Sequence, residues 1–141
     1  MTTGKQSKIY ITHCSAKKND ALEGTGKKVP PDGLYTATPT RRFMTRCKEQ
    51  GVPWAIFSDY YGVWFSGEER EWYGDDVGDP NRVTEERFEA LVKNFDERLG
   101  GSDRIYFYYN PGRFHPLYQR LLREARLRAR VSRITHLWDI E

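Results

Sequence analysis

Short apolar runs alternate along this chain with segments whose apolar residues recur at helical spacing. The first run, Lys8-Ile9-Tyr10-Ile11-Thr12, reads as a buried strand ending at Thr12 or His13. A loop rich in Gly, Lys and Pro follows from Ser15 to about Pro39. Thr38 or Thr40 is placed to cap a helix running to about Gln50, with Gly51 as its stop. Trp54-Ala55-Ile56-Phe57 is a second strand, ending in Ser58-Asp59-Tyr60-Tyr61-Gly62. Residues 66–82 carry six carboxylates among Gly, Trp and Tyr and read as an irregular surface loop. Thr84 then caps a helix in which Phe88, Leu91, Val92, Phe95 and Leu99 keep helical spacing, until Gly100-Gly101 end it. Ile105-Tyr106-Phe107-Tyr108-Tyr109 is a third strand, uninterrupted as buried parallel strands are. Asn110-Pro111-Gly112 turns the chain into a helix from about Phe114 to Arg128 that buries Leu117, Leu121, Leu122 and Ala125. Ser132 to His136 is the last strand.

This alternation predicts an α/β fold: one three-layer domain over residues 1–141, with a mostly parallel sheet of about four strands and helices on both faces. Right-handed crossovers give it a Rossmann-like or flavodoxin-like outline. With 141 residues the chain can bury one core, and 14% aromatic residues set it apart from disordered sequences. No apolar run nears the ~20 residues a membrane span requires. Met1 to Ser7 has no leader-type apolar core, and Cys14 and Cys47 have no metal or disulfide spacing. A cytoplasmic, reduced protein is therefore expected, with no membrane partner, metal or cofactor.

Net charge is +3 but unevenly spread. Residues 1–50 hold ten Lys/Arg against four Asp/Glu, residues 51–100 five against twelve, and residues 101–141 eight against four. Basic termini around an acidic middle fit an anionic partner meeting one face, or charges that merely solvate the surface.

In a parallel sheet the loops after the strands share one edge, where α/β proteins bind ligands. His13, Cys14, Ser15, Lys17 and Lys18 follow the first strand; Ser58, Asp59, Tyr61 and Gly62 follow the second; Asn110 and His115 follow the third. Ser15 with Lys17 and Lys18 suits a phosphate or carboxylate, and the lysines would favour a Cys14 thiolate. Tyr35 and Tyr61 would stack on a base, and Asn110 would read a base edge. His13, Asp59 and His115 are the candidate acid–base groups. The segment Gly24-Thr25-Gly26-Lys27-Lys28 is no P-loop, since Ala21 and Lys28 stand where Gly and Ser or Thr are needed.

The pattern Cys14-Ser15-x-Lys17-Lys18, Leu34-Tyr35-Thr36 before a helix bearing Phe43, and Trp54-x-Ile56-x-Ser58-x-x-Tyr61-Gly62 resembles a family of small α/β proteins of unknown function. That family repeats a Cys-Ser-x-x-Lys loop, a Leu-Tyr-Thr/Ser segment and a Ser-Ala-x-Tyr-Gly loop, with Asp59 here standing where Ala is usual. The first loop is also loosely similar to the start of YaaA-type stress proteins. The likeness covers roughly residues 8–62, with His115-Pro116-Leu117-Tyr118 as an echo. It implies an α/β domain and kinship to proteins of nucleic-acid base modification or repair.

The expected protein thus carries a pocket for a nucleotide-like or phosphorylated small molecule, with glycosidic-bond or base-transfer chemistry as the reaction class. An alternative is a non-enzymatic RNA- or DNA-binding protein using the arginine tract of Arg123, Arg126 and Arg130. A third is a protein-interaction module built on an exposed Trp64, Trp72 and Tyr73.

Overall fold

The structure, a computed structural model, describes residues 7–141. The expectation about a leader core therefore rests on residues that lie largely outside the described ones. Among the described residues the strands are β1 (Lys8–His13), β2 (Lys28–Val29), β3 (Trp54–Ser58), β4 (Gly62–Phe65), β5 (Arg70–Glu71), β6 (Arg104–Tyr108) and β7 (Val131–Ile134). The α-helices are α1 (Pro31–Leu34), α2 (Thr38–Gln50), α3 (Glu85–Leu99) and α4 (Pro116–Glu124). The protein is α/β, with a mostly parallel main sheet in the order β4-β3-β1-β6-β7. β1 pairs in parallel with β3 and β6, and β6 with β7. No helix among the described residues is long and apolar enough to cross a membrane.

Side chains alternate across a strand, so each central strand feeds two cores. Ile9, Ile11, Phe57, Ile105 and Phe107 cluster with Phe88, Leu91 and Phe95 of α3 and Leu121 of α4. Tyr10, Trp54, Ile56 and Trp64 cluster instead with Phe43, Met44 and Cys47 of α2.

The main sheet has five strands rather than about four, because β4 folds back antiparallel on β3. The hairpin is built by Ser58, whose fully buried Oγ accepts from the N–H groups of Tyr60 (3.0 Å) and Tyr61 (2.9 Å). Gly62 closes it at φ 79°, and a Cβ there would stand 2.3 Å from Asn94 Oδ1, which holds the Val63 N–H. The acidic segment is also partly ordered, since β5 pairs with β2 in a separate two-stranded ribbon.

Helix ends follow local chemistry with two departures. Thr84 Oγ1 accepts from the Arg87 N–H at 3.1 Å, and Gly51 closes α2 at φ 62°. The cap of α2 is Ala37 rather than Thr38 or Thr40, and Thr40 donates its hydroxyl proton to Ser15. α4 ends at Glu124, not Arg128, because a carboxylate of α3 takes the backbone that follows. The Asp96 carboxylate accepts the N–H groups of Arg126 (2.9 Å) and Leu127 (3.0 Å) and draws that stretch into a 3-10 turn.

Candidate functional site

Strand order reverses at β1, whose neighbours β3 and β6 lead away in opposite directions. The carboxyl ends of β1 and its two neighbours therefore open a crevice, the place where open α/β sheets bind ligands. Two depressions occupy it and share His13 and Ser15 as a wall. The larger, about 290 Å³, lies toward β3 and is lined by Cys14, Lys18, Asp59, Tyr118 and the 73–81 segment. The smaller, about 130 Å³, lies toward β6 and takes in Thr40, Asn110 and Arg113.

Asp59 is the unusual group of the larger cleft. Its residue is 4% exposed, yet Oδ1 is buried with no hydrogen-bond partner among the described residues. Burial pushes the carboxyl above its usual range, against the pull of the Cys14 thiol and the Lys18 ammonium. A Cβ at Gly78 would come within 3.1 Å of that oxygen and 2.3 Å of the Tyr73 ring, so the glycine leaves room beside it.

His13 faces the same cleft, its ring stacked on Tyr118 with centroids 4.7 Å apart. Its Nδ1–H donates to the Cys14 carbonyl at 2.8 Å, which leaves Nε2 as a lone-pair acceptor. Burial, reinforced by nearby His115, lowers its pKa and so favours the neutral ring. His115 is fully engaged: Nδ1 accepts from the Leu117 N–H at 3.0 Å, so Nε2–H donates to Asn81 Oδ1 at 2.7 Å. It caps α4 and orients Asn81 at the wall of the cleft, the place where a proton-transfer role was expected of it.

Lys18 is buried, reaching Asp75 at 3.7 Å and lying 4.4 Å over the Tyr73 ring. Asp59, Asp75 and Asp79 share these walls with Lys18, so carboxyl groups outnumber lysines and arginines there. The cleft suits a ligand part that brings N–H or O–H donors. A phosphate fits better next door, where Arg113, Ser15 and the start of α2, which has no side-chain cap, converge.

Several expected ligand contacts lie elsewhere. Lys17 is exposed and lines a different groove with Asp20, Glu23 and Trp72. Tyr35 is fully buried with its hydroxyl 2.6 Å from that of Tyr73, so it has no free face for a base. Tyr61 packs edge-on to Trp64 and donates to the Glu71 carbonyl. Ser58 and Gly62 serve the hairpin. Asn110 lines the hollow, but its Oδ1 accepts from the Gly112 N–H and holds its own turn. Cys14 contacts the cleft as a thiol: burial, then the neighbouring Asp59 carboxylate, push it up to about 12. The sequence reading missed Tyr118, Gly78 and Asn81, since nothing local to them shows that the 73–81 segment folds over β1.

The other two readings also move. Arg126 to Arg130 precede β7 and so lie at the opposite edge of the sheet, where Arg130 donates to the carbonyls of Gly100 and Ser102. Arg123 is exposed on the last turn of α4. Trp64 and Tyr73 are buried, at 0% and 4% exposed, and Trp72 is half-buried, so they form no exposed aromatic patch.

The raised Asp59 carboxyl makes a stability prediction. A folded-state value above the unfolded one means the native fold favours the acid form; that stabilisation is complete at low pH and lost as pH rises through the folded value. Asp59→Asn, which mimics the acid form, is expected to melt higher than wild type at pH 8. The gap should close as pH falls toward 4, the ordinary carboxylate range. Thermal melts across that range check it, and a variant less stable than wild type at pH 8 would refute it.

No family model, curated protein or solved structure matches this chain.

Proposed function

We propose that the protein binds a nucleotide-type ligand at this edge and acts on its N-glycosidic bond, as an enzyme of nucleic-acid base modification or repair. The observation that carries the reading is the Asp59 carboxyl, buried, unpartnered at Oδ1 and set in a cleft shared with a neutral His13. Groups kept in costly states of this kind concentrate where chemistry is done.

In this mechanism Asp59 in its acid form gives a proton to a ring nitrogen of the departing base. The C1′–N bond breaks, and its electron pair leaves with the base. His13 Nε2 takes the proton of a water whose oxygen bonds to C1′; in base transfer an incoming base nitrogen replaces the water. The ligand's phosphate lies in the neighbouring hollow against Arg113 and the start of α2. The resemblance carried by residues 8–62 implies kinship to proteins of nucleic-acid base modification or repair, although Asp59 stands where that family usually has Ala. A three-layer, Rossmann-like arrangement, with α2 on one face and α3 and α4 on the other, is the fold reading that accompanies it.

A thermal-shift screen against nucleobases, nucleosides and nucleotides tests occupancy. A ligand at about 100 times its Kd adds about 2.7 kcal/mol. Stabilisation by a nucleoside or nucleotide is expected, weakened in His13→Ala and unchanged in Lys17→Ala. No shift with any of these compounds would overturn the reading.

A further inference from the structure

The most exposed large apolar side chain among the described residues is Trp138, at 74%. It sits in the 3-10 turn after β7, between Leu137, whose carbonyl is held by Arg46 of α2, and Asp139, whose carbonyl faces the Tyr10 hydroxyl. Its ring lies parallel to that of His136, interplanar angle 4° and centroids 6.1 Å apart, so two flat faces are held together in solvent. Trp is enriched at interfaces, where an amphipathic ring meets a partner.

The surface beside it is strongly basic. A groove on the outer side of α2 is lined by Arg41, Arg42 and Arg46 and by Leu137, the residue before Trp138. Its one carboxylate is Glu49. Arg46 is tied to the carbonyls of Leu137 and Ile140, which fixes the Trp138 turn on α2. Arg41, Arg42 and Arg113 are all exposed and make no ion pair among the described residues. Groove and hollow meet at the start of α2, where Thr38 lines one and Ala37 and Pro39 line the other. The groove thus leads from Leu137, the neighbour of Trp138, past Arg41 and Arg42 to the hollow that holds Arg113 and His13.

We infer that this path binds a single strand of nucleic acid, with one base stacked on Trp138 and the phosphates on Arg41, Arg42 and Arg113. Exposed aromatics accept any base face and arginines track the backbone, which is how single strands are held without sequence preference. A duplex keeps its base faces stacked and leaves the indole uncovered. The inference takes from the preceding reading only the ligand class, and it makes the substrate of the cleft one residue of a strand.

The test is fluorescence anisotropy of the full chain with labelled single-stranded DNA and RNA of about 15 nucleotides, and with a duplex. Titrations run from about 50 to 200 mM salt. Single strands are expected to bind in preference to duplex, and the tighter of the DNA and RNA arms names the natural strand. Trp138→Ala should weaken binding about tenfold or more. Arg42→Gln should lower the slope of log affinity against log salt by about one. Arg126→Gln with Arg130→Gln, at the opposite edge, should change nothing. Trp138 is exposed, so an unchanged melting temperature establishes that its variant is folded.

No strand binding, affinity indifferent to Trp138→Ala and Arg42→Gln, or tighter duplex binding would overturn the inference. So would equal displacement by polyglutamate, which would assign the surface to an acidic chain. Strand binding lost in Trp138→Ala supports it even where no nucleoside occupies the cleft, an outcome that would defeat the preceding reading alone.

Discussion

Trp64→Ala should remove about 3–5 kcal/mol of stability, the range for deleting a buried aromatic. Trp64 lies on β4 opposite Ile56 and is fully buried. Its ring meets Tyr35 (5.8 Å between centroids, 66°) and Tyr61 (5.4 Å, 73°), and its Nε1–H donates to the Glu68 carbonyl at 2.7 Å. Truncation leaves a cavity under the hairpin and an unpaired carbonyl beside it. Because domains are typically stable by only about 5–15 kcal/mol, the loss is a large share of the total. Trp72→Ala, at a half-buried ring held by one 3.3 Å hydrogen bond to Asp20, should cost about 1 kcal/mol or less. Urea unfolding of both variants checks the contrast. Equal losses would mean that β4 is not part of the core.

The second large effect concerns rate against pH. The mechanism needs Asp59 as the acid and His13 as the neutral base. Asp59 loses its proton as pH rises through its elevated value, and His13 gains one as pH falls through its lowered value. Activity should therefore peak on the acid side of neutrality and fall in both directions. His13→Gln, which cannot take the proton, is expected to lose about 10²–10⁴-fold and with it the acid limb. A profile that keeps rising above pH 8, or an acid limb that survives in His13→Gln, would remove these assignments.

The parts of the fold that could be read along the chain were those with local causes. Phe88 to Leu99 repeat at helical spacing behind Thr84, and α3 forms from Glu85 to Leu99. Trp54–Ser58 and Arg104–Tyr108 form where the apolar runs lie. What escaped was set by distant partners. α4 stops because Asp96, about thirty residues earlier, takes the N–H groups of Arg126 and Leu127. Gly62-Val63-Trp64-Phe65 is too short for its alternation to register, and its pairing depends on the Ser58 turn.

At the site, the clustering of loops after β1, β3 and β6 was legible, and His13 and Asp59 do share one cleft. The choice between adjacent residues was not. Lys18 pairs across the loop with the Tyr35 backbone and turns inward, which sends Lys17 out to solvent. Tyr35 looked like a stacking platform because sequence shows an aromatic ring but not the Tyr73 hydroxyl and Trp64 ring that enclose it. Asp59 could be placed in a loop from its neighbours, whereas its unpartnered oxygen appears only once the 73–81 segment closes over it.

The cleft is tested most directly by incubating nucleosides, nucleotides and short strands with wild-type protein and with Asp59→Asn, and separating released base by chromatography. Free base from at least one substrate class, slowed about 10²-fold or more in a variant that is folded and still binds, is the expected result. Release at the wild-type rate from Asp59→Asn, or bound ligand that is never cleaved or exchanged by the wild type, would contradict an acid–base site at Asp59 and His13.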